Sequence, residues 1–260
     1  PDSAPNVRPA EPEKPLASLI EKDEKGRIKP LKYPLDEAAV RALELSPEAK
    51  DKVEKSLLAR RVEVDRIVVE NLPALLDIRK AMMDATETTS MDVMTETSKK
   101  STPFRANKLL DRLVKDGAIT PNQKTQATNI AREYKTAMRD EATKDAGGHS
   151  NMQAMVLVGF KLTMQDFCAE SFQELDRMLA ESAPKAEELL KGLGLPAGHA
   201  ALKSLPKLKG TGAAAGKTAA DSVKSIFYET LDADQQKAYL LAANPELKAA
   251  DAPKTNDAAK

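Results

Sequence analysis

The chain has 260 residues, with 40 basic and 40 acidic side chains, no Trp, nine aromatics, one Cys, two His and 40 alanines. Zero net charge removes the electrostatic case for nucleic-acid binding, which draws most of its affinity from clustered Lys and Arg on phosphates. One Cys forms no internal disulfide, and two His with one Cys do not complete an ordinary tetrahedral zinc site.

Gly and Pro together number 27, an ordinary level that leaves a folded core expected. No D-x-[DN]-x-[DN]-G loop is present, so carboxylate-only Ca or Mg sites are unsupported, and no cofactor is expected. No stretch approaches 18 uninterrupted apolar residues, so no membrane span is expected. The first residue is Pro1, not Met, which fits a removed export signal, a trimmed cytosolic product or a shortened chain.

Residues 1–35 carry seven prolines among Glu, Lys and Asp and read as an extended, solvated arm. From Pro47 to Ala85 apolar residues recur at Val53, Leu57, Val64, Ile67, Val68, Leu72, Leu75, Ile78 and Met82, the spacing of one helix face. Pro73 lies inside that run; it lacks an amide donor and clashes with the preceding turn, which predicts a kink or a break into two helices. Thr86 to Ser101 is rich in Thr and Ser and reads as a poorly helical connection with a short turn around Met91 to Met94.

A helix is expected to start at Thr102-Pro103 and to end at Gly117, through Leu109, Leu110, Leu113 and Val114. Thr120 caps the next, through Ala127, Ile130, Ala131, Tyr134 and Met138, stopped by Gly147-Gly148. The two read as a helical hairpin. The most apolar element runs from about Ser150 to Glu181, with apolar residues on more than one face, as befits the central helix of a bundle. A short segment Glu187 to Leu193 follows, then loop-like sequence to Gly216, then helices at about Ala219 to Thr230 and Ala233 to Ala243. The expected fold is therefore all-α, an irregular helical bundle or hairpin array with one long central helix and disordered terminal tails. In chain order it divides into an arm at 1–35, a main helical domain at 36–193, a linker at 194–218, a C-terminal helical pair at 219–248 and a tail at 249–260.

Gly210 to Thr218 resembles a phosphate-binding loop at a glance, but Thr211 occupies the position where the spacing demands Gly, and no buried strand precedes it. It reads as a flexible linker. His149 and His199 lie by Gly-containing turns, and Cys168 sits mid-helix near Phe167 and Phe172, the setting of a buried inert thiol. No Ser-His-Asp pattern or G-x-S-x-G elbow occurs, so the reading is non-enzymatic. Four of the nine methionines, Met152, Met155, Met164 and Met178, lie along the long helix, and Met82, Met83, Met91 and Met94 surround the Thr-rich stretch. Such flexible side chains suit either core filling or a surface that repacks against partners; Met152, Met155, Met164 and Met178 are the candidate binding surface.

Two segments share one form: Ile119-Thr120-Pro121-Asn122-Gln123 and Leu231-Asp232-Ala233-Asp234-Gln235, with Leu45-Ser46-Pro47-Glu48-Ala49 a degraded third. Each is an apolar residue, a capping residue and, in the first two, Gln three positions later, the pattern of a capping box. In these residues the chain resembles the Spy and CpxP family of exported helical proteins, marked by repeated Leu-Thr-x-x-Gln motifs. The resemblance implies a small curved helical scaffold in the bacterial periplasm that acts in envelope stress as an ATP-independent chaperone or adaptor. Ile119, Thr120 and Gln123, then Leu231, Asp232 and Gln235, are the matching positions. The leading expectation is an exported protein-interaction module whose partners are other proteins, including itself; the alternatives are a structural subunit or scaffold of a larger assembly, and a cytoplasmic location.

Overall fold

A computed structural model describes residues 17–105, 109–145, 151–205 and 219–249. They hold helices and short turns from Leu35 onward and an extended segment before it, and the one β contact among them is a single bridge between Lys22 and Ile28. The elements are α1 (Leu35–Arg41), α2 (Pro47–Glu70), α3 (Leu72–Asp84), α4 (Met91–Lys100), α5 (Thr102–Arg105), α6 (Leu109–Lys115), α7 (Pro121–Asp145), α8 (Met152–Ser182), α9 (Ala186–Gly192), α10 (Ala200–Lys203), α11 (Ala219–Thr230), α12 (Ala233–Ala243) and α13 (Pro245–Ala249).

The long apolar run before Ala85 divides where Pro73 requires. Asn71 leaves helical geometry, and both its amide and its side-chain Nδ2 donate to Ile67 O at 3.0 Å, closing α2 before Pro73 opens α3. Helix α8 is the axis of the molecule. Its 31 residues extend about 46 Å at 1.5 Å per residue, and α2, α3, α5, α7, α11 and α12 all pack on it.

Burial is split between two apolar cores. The larger joins Val64, Val68, Leu72, Leu75 and Ile78 of α2 and α3 to Met164, Cys168, Leu175, Met178 and Leu179 of α8 and to Val223, Ile226, Phe227, Tyr239 and Leu240 of α11 and α12. The smaller joins Ala39 and Val40 of α1 and Val53 of α2 to Leu113, Ile119, Ala127 and Ile130 of α6, α7 and the turn between them. The C-terminal pair is thus separated from the rest by sequence, not by packing: its apolar faces complete the larger core. Buried Gln236 donates through Nε2 to Phe227 O at 2.7 Å, and Tyr239 shares a 2.9 Å hydroxyl contact with Ser182, so these two polar side chains enter the core bonded.

Helices α2 and α8 also meet through charge. Arg60 is 3% exposed and grips Glu170 in a bidentate pair, Nε to Oε1 and Nη2 to Oε2, both at 2.5 Å. One turn on, Asp65 accepts two bonds from Arg177 Nη2 at 2.8 and 2.7 Å, and Arg177 Nε reaches Glu174 at 2.5 Å. Burial, reinforced by the neighbouring Glu174, raises the Asp65 carboxyl to about 6 against the pull of Arg177.

Three expectations change. Thr86 to Ser101 is not a poorly helical connection: α4 occupies ten of its residues. Ser90 caps it, accepting the Val93 amide at 3.4 Å, Asp92 lies in its first turn, and Lys99 and Lys100 lie in its last, each favoured by the helix dipole. Thr102 does not cap the following helix; it lies inside α5, and its hydroxyl donates back to Lys99 O at 2.7 Å. The described part of the N-terminal arm is extended but docked. A turn at Gly26, with φ at +77°, folds it back, Ile28 N–H donates to both Glu141 oxygens at 3.1 Å, and the Tyr134 hydroxyl donates to Lys29 O at 3.2 Å. Residues 1–16 and 250–260, the Gly210 to Thr218 loop, Gly147-Gly148 and His149 lie outside the described residues.

Candidate interaction surface

Helices α3 and α4 are joined by the short turn at 85–90 and run antiparallel, since Lys100 at the far end of α4 pairs with Asp77 back along α3. On their inner side Met94, Thr97 and Ile78 are buried. Their outer seam is a groove of about 670 Å³, with Ala81, Ala85 and Val93 among its apolar residues. Four carboxylates, Asp77, Asp84, Asp92 and Glu96, and two lysines, Lys80 and Lys100, line it. Lys99 pairs with Glu96 from its margin, so the excess of negative charge there is one.

The end of this hairpin is unusually apolar for a surface. Met83 is 72% exposed, Met91 63% and Met152 74%, with Val93 and Val156 also exposed. The N-terminus of α8 reaches the same turn: Asn151 Nδ2 donates to Glu87 Oε2 at 3.5 Å, and Asn151 Oδ1 caps α8 by accepting the Ala154 amide at 3.1 Å. An exposed methionine costs little to repack and presents a polarizable apolar surface, which is the chemistry of contact, not catalysis.

The four methionines singled out along α8 do not form this surface together. Met164 and Met178 are buried in the larger core, each 1% exposed, Met155 is half-buried, and Met152 alone stands in solvent. Positions 164, 168, 175 and 178 share one helix face, and α2, α3, α11 and α12 cover it. Of the residues that complete the exposed surface, Met91 and Val93 come from the segment that composition assigns to a connection, and Met83 comes from the end of the helical run before it. Their signal in the sequence is the clustering of Met82, Met83, Met91 and Met94 around the Thr-rich stretch.

The Gln-bearing motifs are helix starts in three dimensions. Thr120 N–H donates to Gln123 Oε1 at 2.8 Å while Gln123 N–H returns to Thr120 Oγ1 at 3.2 Å. Asp232 N–H donates to Gln235 Oε1 at 3.1 Å, and Gln235 N–H to Asp232 Oδ1 at 2.9 Å. In the shortened third copy Ser46 Oγ accepts the Ala49 amide at 3.2 Å. The apolar residue before each reciprocal box is an anchor: Ile119 is buried in the smaller core and Leu231 in the larger. The two motifs thus belong to different cores, and each sets the entry of one helix.

Cys168 is fully buried, and burial pushes its thiol up to about 12 despite the opposing charge of Arg105, so it holds its proton. His199 caps α10, its Nδ1 accepting the Ala201 amide at 3.2 Å. Among the described residues no group of three or more His, Cys, Asp or Glu is placed to hold a metal ion, and no helix is long and apolar enough to cross a membrane. No protein-family model, no curated protein and no solved structure matches the chain.

Proposed function

We propose that this chain is a non-enzymatic protein-interaction module that receives partner proteins on the Met-rimmed hairpin of α3 and α4, acting as an exported, ATP-independent chaperone or stress adaptor. The observation that carries the reading is that Met83, Met91 and Met152 are all more than 60% exposed, the first two flanking the turn between α3 and α4 and the third next to Asn151, which contacts Glu87 of that turn. An apolar patch kept in water without a structural duty is what a repacking contact surface requires. The resemblance to the Spy and CpxP family supports the chaperone form and the exported location, and fractionation of the producing cells tests the latter.

The functional test dilutes a denatured, aggregating client into buffer without nucleotide and follows light scattering. The protein in several-fold excess is expected to suppress scattering, and the Met83→Ser/Met91→Ser/Met152→Ser variant to lose that effect with an unchanged melting temperature. No suppression by the unsubstituted protein defeats the chaperone reading; full suppression by the variant defeats the surface assignment.

A structural subunit is the second reading, favoured by Leu58 and Val62, which stand exposed one turn apart on α2. Light scattering coupled to size-exclusion chromatography checks it: a monomer at all concentrations, with no co-purifying partner, counts against it.

A further inference from the structure

We propose that the groove between α3 and α4 docks a basic amphipathic helix of a partner protein, apolar stripe inward and Lys or Arg at its margins; this rests on the interaction reading above and names its partner.

Shape points to a helix. The groove is the seam of two antiparallel helices, and α4, at ten residues, gives it a length of about 15 Å. A third helix lays its ridge of side chains along such a seam in the way helices pack within a bundle. An extended segment instead needs a strand edge to satisfy its backbone, and the described residues offer only the Lys22–Ile28 bridge, in the N-terminal segment.

Composition points to the stripe and to its charge. Ala81, Ala85 and Val93 are small apolar residues that let a backbone come close, and Val93 is 48% exposed, so it has surface left to bury. Four carboxylates face three lysines once Lys99, the partner of Glu96, is counted. Asp77 and Asp84 are already paired, with Lys100 and Lys80, and Glu96 with Lys99. Exposed pairs of this kind are worth little, so an incoming cation exchanges with them at small cost. Asp84 and Asp92 flank the turn end, beside Met83 and Met91, and Glu87 adds a further negative charge in that turn. A partner that brings apolar and basic residues together meets both features at one place, whereas an acidic helix of equal apolarity meets repulsion.

The test is fluorescence anisotropy on the full chain with two labelled synthetic helices, identical in their Leu stripe, one flanked by Lys and the other by Glu. The basic peptide is expected to bind at least about tenfold more tightly, and its affinity to fall as salt rises. The Asp84→Lys/Glu96→Lys variant, which puts Lys at positions both helices tolerate, is expected to reverse the preference. A second variant, Val93→Asn, removes the apolar contact without adding charge and is expected to weaken the basic peptide about tenfold, and circular dichroism confirms that both variants fold. Equal binding of the two peptides, or basic-peptide affinity unchanged in both variants, overturns the proposal. Suppression of client aggregation with no peptide binding overturns it too while leaving the interaction reading intact; loss of both removes both.

Discussion

Replacing Glu170 with Ala removes one half of the charged contact that joins α2 to α8. The Arg60 guanidinium stays behind with its side chain 4% exposed, while the Glu170 side chain is 27% exposed, so water enters only from the carboxylate side. Breaking a buried ion pair from one side costs about 3 to 5 kcal/mol, and the partial exposure of Glu170 puts the expected loss at the lower end, about 3 kcal/mol. For a chain of this length each kcal/mol moves the melting temperature by about 2 to 4 °C. Thermal and urea unfolding followed by circular dichroism should therefore show Glu170→Ala melting about 6 to 12 °C lower. The companion variant Arg60→Met/Glu170→Met removes both members of the pair and should regain most of the loss, because an apolar pair of similar volume removes their desolvation cost. A loss under about 1 kcal/mol for Glu170→Ala, or a double variant no better than the single one, would refute the view that the contact is energetically closed to solvent.

Asp65→Asn should change how stability depends on pH. With the folded carboxyl raised to about 6 from 3.8, the folded state keeps a proton that the unfolded chain releases; the stability this provides is complete below pH 3.8 and is lost as pH rises through about 6. Denaturant titrations should show the unsubstituted protein losing on the order of 2 kcal/mol relative to Asp65→Asn between pH 4 and 8, and a pH-independent difference would contradict the assignment. Asp232→Ala removes one side of the capping box of α12 and should cost about 1 kcal/mol in urea unfolding. Met178→Ala should cost about 2 to 5 kcal/mol through the cavity it opens, while Met152→Ala, the same change in solvent, should stay within about 0.5 kcal/mol.

The helix starts at Thr120 and Asp232 were legible because a capping residue stood before an apolar period, whereas the same signal at Thr102 misplaced its helix start. Thr120, Asp232, Pro73 and the αL glycine Gly117, with φ at +65°, act locally, so their meaning does not depend on distant chain. The segment around α4 was read as a connection because Thr and Ser dominate it, although Ser90, Asp92, Lys99 and Lys100 already carried the end signals of a helix. What stabilises α4 is its packing against α3 and α5, with Met94 and Thr97 turned inward. Low intrinsic propensity is overridden by tertiary burial, and that burial is a long-range property.

The proposed interaction surface was legible in residue type and not in residue number. Methionines clustered in two places, on the long helix and around the Thr-rich stretch, and composition gives every methionine the same standing. The sequence by itself determined an all-α chain, the position of its main breaks, and the absence of a recognisable catalytic pattern, since these follow from periodicity, caps and residue inventory. Only the tertiary structure decided that Met164 and Met178 fill the core while Met83, Met91 and Met152 face water, and that the charged contacts Arg60–Glu170 and Asp65–Arg177 join α2 to α8. The physical reason is that burial belongs to the neighbours: α2, α3, α11 and α12 close over one face of α8, and nothing in a methionine's own surroundings along the chain states which face that will be.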